Sequence, residues 1–115
     1  PDVQEARLLG PLAGVPRASD EERATDPERA RLRGQVTAAD LSPDGRTLAV
    51  MTYDDVLLYP KGDGAWADAV ARPPAIHALA LLPQAEALAW APDGRTLYAT
   101  GEFRPAPLLR LTPPD

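Results

Sequence analysis

Short apolar runs divided by proline, glycine and aspartate organise this 115-residue chain, and two stretches of that pattern are copies of each other. Pro-Asp-Gly-Arg-Thr-Leu occurs at Pro43–Leu48 and again at Pro92–Leu97, an interval of 49 residues. Ala39-Asp40-Leu41-Ser42 precedes the first copy and Leu88-Ala89-Trp90-Ala91 the second; Ala49-Val50-Met51-Thr52 and Tyr98-Ala99-Thr100-Gly101 follow them. Self-similarity at such a period marks a modular array. Proline at the second position of each turn pre-sets φ, aspartate tolerates the third, and glycine takes the left-handed conformation. Pro43, Asp44 and Gly45, like Pro92, Asp93 and Gly94, therefore read as tight turns joining antiparallel strands. Leu48-Ala49-Val50-Met51 lacks polar alternation, as expected of a strand covered on both faces.

The flanking pattern supplies the remaining elements. Val36–Leu41, Thr47–Tyr53 and Val56–Tyr59 read as three strands, repeated by Ala85–Trp90, Leu97–Gly101 and Pro107–Leu111. Arg7–Leu12 and Ala75–Leu81 read as outer strands that open the first and second units. Gln84 to Trp90 is rich in helix formers, and only the aligned repeat turns that segment into a strand. Ser19 with Glu22 forms a capping box, and Asp26-Pro27 is a fresh N-cap with proline at the first helical position, ended by Gly34. Asp63 is placed to cap a helix over Ala65–Arg72 that Pro73-Pro74 stops.

The small residue, Pro-Asp-Gly-Arg and following apolar strand resemble the blade repeat of WD40-like β-propellers, closest to the bacterial TolB-type propeller. The resemblance covers residues 36–60 and 84–112; the Trp-Asp and Gly-His pairs of eukaryotic WD40 blades are absent. It implies an all-β fold of two four-stranded antiparallel propeller blades with short helical insertions. Residues 5–60 form the first blade (with a helical insertion at 19–33), 61–74 a helical connection and 75–115 the second blade, within a single portion spanning 1–115. A propeller closes with 4–8 blades, so the expectation is a piece of a longer chain whose partners are the remaining blades or other copies of itself.

Composition narrows function mainly by exclusion. The net charge of −5 gives no basis for binding nucleic acid or an anionic membrane surface. No run reaches the ~18 apolar residues of a membrane span. Cysteine is absent, which removes disulfides and thiolate metal sites. Arg17 to Arg33 holds five arginines and five acids and reads as a solvated mixed-charge face. There is no phosphate loop, nucleophile elbow or histidine pair. His77, the lone histidine, reads as structural, and Asp54-Asp55 as a turn with a minor calcium alternative.

Glu86 and Glu102 are the candidate metal ligands. Glu86 opens the inner strand of the second unit and Glu102 follows the strand paired with it, so antiparallel pairing brings both to one end. Their repeat counterparts are Thr37 and Tyr53, neither acidic, and one-off polar residues on a repeated scaffold are where a site is expected. The segment Gln84–Trp90 also has a weaker resemblance to the Glu-Gly-Ile-Ala segment of calcium-dependent propeller hydrolases of the phytase-like and strictosidine-synthase-like kind, with Ala87 in place of the glycine. That resemblance implies calcium at Glu86 and Glu102. Two functional classes follow: a non-catalytic binding or scaffold module that recognises a protein or small ligand, and the C-terminal part of a calcium-dependent hydrolase. The family resemblance and the bias to Ala, Arg and Pro favour a bacterial extracytoplasmic setting.

Overall fold

The computed structural model describes residues 3–79, 82, 84–102 and 105–114. Ten elements run in the order α1 (Asp20–Thr25), α2 (Pro27–Leu32), β1 (Val36–Leu41), β2 (Thr47–Thr52), β3 (Asp55–Pro60), α3 (Trp66–Val70), β4 (Ala75–Ala78), β5 (Ala85–Trp90), β6 (Leu97–Gly101) and β7 (Leu108–Leu111). Among the described residues they make two antiparallel sheets, β1-β2-β3-β4 and β5-β6-β7, and three short helices. The mostly-β architecture agrees with the sequence pattern; two four-stranded units are not seen, because the second sheet has three strands among the described residues.

Both repeated turns form as their residues demand. Gly45 N–H donates to Ser42 O at 2.8 Å and Gly94 N–H to Ala91 O at 3.1 Å. The two glycines adopt φ of 74° and 68°, open to glycine at no steric cost. The loss of the serine hydroxyl in the second copy is compensated locally. In the first turn Ser42 Oγ accepts from Thr47 N–H and donates to Asp44. In the second, Asp93 itself accepts from Thr96 N–H and Oγ1. These bonds hold the carboxyls of Asp44 and Asp93 below the ordinary range: the Ser42 hydroxyl is the chief cause at Asp44, and the Arg95 N–H at Asp93.

Strand pairing corrects the phase of the repeat. β4 pairs with β3, Leu57 opposite Ile76, and so closes the first sheet instead of opening the second. Arg7–Leu12 is not a strand; the segment around it crosses the back of the first sheet. At the helices, Ser19 makes the expected capping box and Asp26 caps α2 by accepting from Arg29 N–H. Asp63 caps nothing: α3 begins at Trp66 after Ala65, without a side-chain cap. Residues 85–90 are strand despite their helical composition, because β6 and the first sheet supply partners on both sides.

The central strands of the first sheet, β2 and β3, are buried on both faces. Ala49, Met51 and Val56 meet Ala85, Leu97 and Ala99 of the second sheet, sealed by Leu79 and Leu82. On the other face Val50, Leu57 and Tyr59 pack under Leu12 and Val15. The Tyr59 hydroxyl donates to Ala13 O at 2.7 Å, and Ala13 N–H donates to Val70 O at 2.8 Å. Edge strands β1 and β5 lie side by side and are clasped by side chains. Thr37 Oγ1 donates to Ala85 O at 2.7 Å, Trp90 N–H to Asp40 Oδ2 at 2.8 Å, and Trp90 Nε1–H to Asp40 O at 3.0 Å.

Candidate functional site

One end of the two-sheet stack gathers the polar side chains that the repeat does not share. A β-bulge recurs at the same repeat position, between Val36 and Ala38 on β1 and between Ala85 and Ala87 on β5. The extra residue is Thr37 in the first and Glu86 in the second. Bulges re-aim a side chain away from the pleat and occur next to sites. Thr37 uses its hydroxyl to hold the two sheets together. Glu86 instead meets Glu102, just beyond β6, and Tyr53, whose hydroxyl donates to Glu86 Oε1 at 3.1 Å.

The sequence-derived pair is thus brought together. A hydrogen bond shared with Glu86, then the Glu86 charge, raises the Glu102 carboxyl above its ordinary value. The same carboxylate, accepting from Tyr53, raises the phenol. Glu102 is exposed and Glu86 half-buried, so the cluster is a solvent-accessible acid pair. Among the described residues no group of three or more acids and histidines is arranged to hold a metal ion. His77 lies half-buried on the edge strand β4, opposite Val56.

Tyr53 also joins this cluster to a cleft of about 660 Å³ lined by α2, the β2–β3 turn and residues just before β5. Its polar wall is Arg29, Arg33, Asp54 and Asp55; Ala78, Leu79, Leu82 and Leu32 form the apolar wall. Asp54-Asp55 forms the turn expected of it, held by Thr52 Oγ1, which accepts from both backbone N–H groups at 3.2 and 3.0 Å. Arginines occupy the carboxylates where calcium was the alternative. Asp54 pairs with Arg29 at 2.8 Å and Arg33 at 3.2 Å, and Asp55 lies 3.6 Å from Arg33. Burial, opposed by Arg33, raises the Asp55 carboxyl above its ordinary value.

Sequence reading singled out Asp54-Asp55 in this second group but missed the two arginines. Arg29 and Arg33 lie in the mixed-charge stretch read as a solvated face; Arg29 is on α2 whereas Arg33 is its extended C-cap residue, so helical spacing does not pair them. Comparison of the chain with protein-family models, curated proteins and solved structures returned no match, so the functional reading rests on the repeat and on this geometry.

Proposed function

We propose that the chain is a non-catalytic binding module of the WD40-like, TolB-type propeller repeat, with the end carrying Tyr53, Glu86 and Glu102 as its recognition surface. The carrying observation is the recurring bulge: the same backbone irregularity holds a structural threonine in one copy and an acid facing another acid in the other. A duplicated scaffold with chemistry on one copy fits recognition better than pure architecture. On this reading each sheet corresponds to one propeller blade. β1 and β5 run side by side as innermost strands do, and the outer face of the second sheet is where a further blade or another copy continues the array. The setting is a bacterial extracytoplasmic protein.

The proximity of Glu86 and Glu102 keeps the calcium-dependent hydrolase as the second reading. Calcium takes 6–8 oxygen ligands, and two carboxylates with a phenol fall short of that. Differential scanning calorimetry of the wild type and Glu86→Gln, with and without calcium, separates the readings. A binding module shows no calcium-dependent stabilisation, and the substitution changes stability by no more than about 0.5 kcal/mol. A rise in Tm with calcium that Glu86→Gln abolishes overturns the proposal in favour of the hydrolase.

A further inference from the structure

The α1–α2 hairpin is attached to the molecule differently from the other elements described. Neither helix has a buried residue, and neither has a strand or α3 as a backbone neighbour; they pack on each other. The shorter α3, by contrast, buries Ala69 and Val70 and lies against β3. The hairpin's two chain ends meet at a neck, where a Cβ on Gly34 would lie 2.5 Å from Pro16 O. Beyond the neck, its polar side-chain links to the sheets among the described residues are ion pairs with the β2–β3 turn. Arg33, beside Gly34, reaches Asp54 at 3.2 Å and Asp55 at 3.6 Å. Arg29 reaches Asp54 from α2 at 2.8 Å. The turn itself is fixed: Thr52 Oγ1 accepts from Asp54 N–H, and Asp54 O accepts from Leu79 N–H at 2.8 Å.

We propose that the α1–α2 hairpin is a flap, hinged at the Pro16–Gly34 neck and latched by the Arg29–Asp54 ion pair, that opens and closes the cleft beside Tyr53. Arg33 stands at the hinge, its side chain 27% exposed, and moves little when the flap swings. Arg29 stands out along the flap with its side chain 69% exposed. An ion pair with so exposed a partner is weak and screened by salt, so it can break while the sheets stay folded. With no residue of either helix buried, little apolar surface opposes the opening, the mark of a segment of low local stability. Leu32, on α2, lines the cleft with Leu79 and Leu82, so release of the flap removes one wall of it. As a gate, the flap rests on the binding-module reading; the latch itself is read without a ligand and so fails separately from that reading.

The chain has no cysteine, so nitroxide labels go cleanly onto Glu28→Cys on α2 and Ala75→Cys on β4, both exposed positions of the full chain. Their separation is read by double electron–electron resonance. At low salt one main distance should dominate. Arg29→Gln should raise the ratio of longer to main distances about two- to fivefold, the effect of losing one exposed pair. Sodium chloride at about 1 M should act in the same direction. Arg29→Lys, which keeps the charge, should hold most of the flap closed. Arg23→Gln, which removes a pair lying within α1, should leave the distances unchanged. A distribution unmoved by both Arg29→Gln and salt overturns the proposal, as does one already spread at low salt with Arg29 present. An equal change in Arg23→Gln also overturns it, assigning the effect to net charge. Amide chemical shifts of β2 and β3 should be kept in Arg29→Gln; their loss overturns the hinge and makes the pair part of the fold. The calcium calorimetry reports on Glu86 and does not involve Arg29, so failure of the latch leaves the module reading to its own test.

Discussion

Replacing Asp40 with alanine should separate the two sheets energetically without harming either hairpin. Its carboxylate accepts the Trp90 N–H at 2.8 Å, the edge amide of β5, so the bond crosses from one sheet to the other. A hydrogen bond to a charged acceptor is worth about 1.5–3 kcal/mol. Asp40 is half-buried and the freed amide can reach water, so about 1–2 kcal/mol is the reasonable loss. For a domain of this size that corresponds to roughly 4–8 °C in Tm. The repeat supplies its own control: Ala89 occupies the equivalent position in β5, so alanine is compatible with the strand itself. Thr37→Val removes the bond to Ala85 O and should cost about 1 kcal/mol. The two positions are three residues apart along β1, about 10 Å, so the double variant should be additive within ~0.5 kcal/mol. Urea unfolding followed in parallel by tryptophan fluorescence and far-ultraviolet circular dichroism measures all three. An Asp40→Ala loss below about 0.3 kcal/mol with an unchanged m value would refute the clasp as a source of stability.

Glycine substitutions should rank by what a side chain would meet. Gly45→Ala has open space and only the left-handed strain of about 1–2 kcal/mol, whereas a Cβ at Gly14 would lie 2.6 Å from Pro74 Cδ and one at Gly34 2.5 Å from Pro16 O. Gly14→Ala and Gly34→Ala should therefore lower the urea midpoint more than Gly45→Ala, and an inverted order would contradict the described packing. The Glu86–Glu102 pair has a definite pH signature. Glu102 titrates above its ordinary 4.5 in the folded chain, so its contribution is present below that value and is lost as pH rises through the folded pKa. In Glu86→Gln both the shift and the pH dependence should shrink, as read by NMR titration of the Glu102 carboxyl carbon. A Glu102 value unmoved by the substitution would place the cause elsewhere.

Local chemistry was readable wherever a residue type answers to a single backbone need. The two Pro-Asp-Gly turns, the Ser19–Glu22 capping box and Pro27 at the head of α2 stand where their residues place them. The strand over 85–90 was legible only through the repeat, since Ala-Glu-Ala-Leu-Ala is helical by propensity and tertiary pairing decides it. Which sheet takes Ala75–Ala78 was not legible, because pairing partners of an apolar run depend on chain geometry beyond the run. The same holds for the site. Alignment singled out Glu86 and Glu102, yet the bulge that aims Glu86 leaves no mark on composition. The Arg33 contact to Asp54 and Asp55 joins residues some twenty positions apart, a distance at which a mixed-charge stretch gives no direction.

Strand pairing also explains why the two outer faces of the molecule differ. Met51 pairs with Val56 and Ala49 with Leu58, and these residues face the second sheet. Their counterparts in the second sheet are the pairs Thr100 with Leu108 and Tyr98 with Arg110, which stand on its outer face. Methionine has given way to threonine and leucine to arginine, while Tyr98 is 37% and Leu108 70% exposed. The opposite end is treated differently: Val50, Leu57 and Tyr59, equivalent to the residues that the second sheet turns toward the first, lie under Leu12 and Val15. One face is thus covered by chain, and the other is more polar than its counterpart in the first sheet. On the outer face of the second sheet the exposed large apolar side chains among the described residues are Leu108 and Tyr98, on strands that carry Arg110 and Thr100 beside them. A further sheet docking there would have to bury the Arg110 guanidinium or turn it to the rim, so continuation of the array through this face requires an acid or an open edge opposite Arg110.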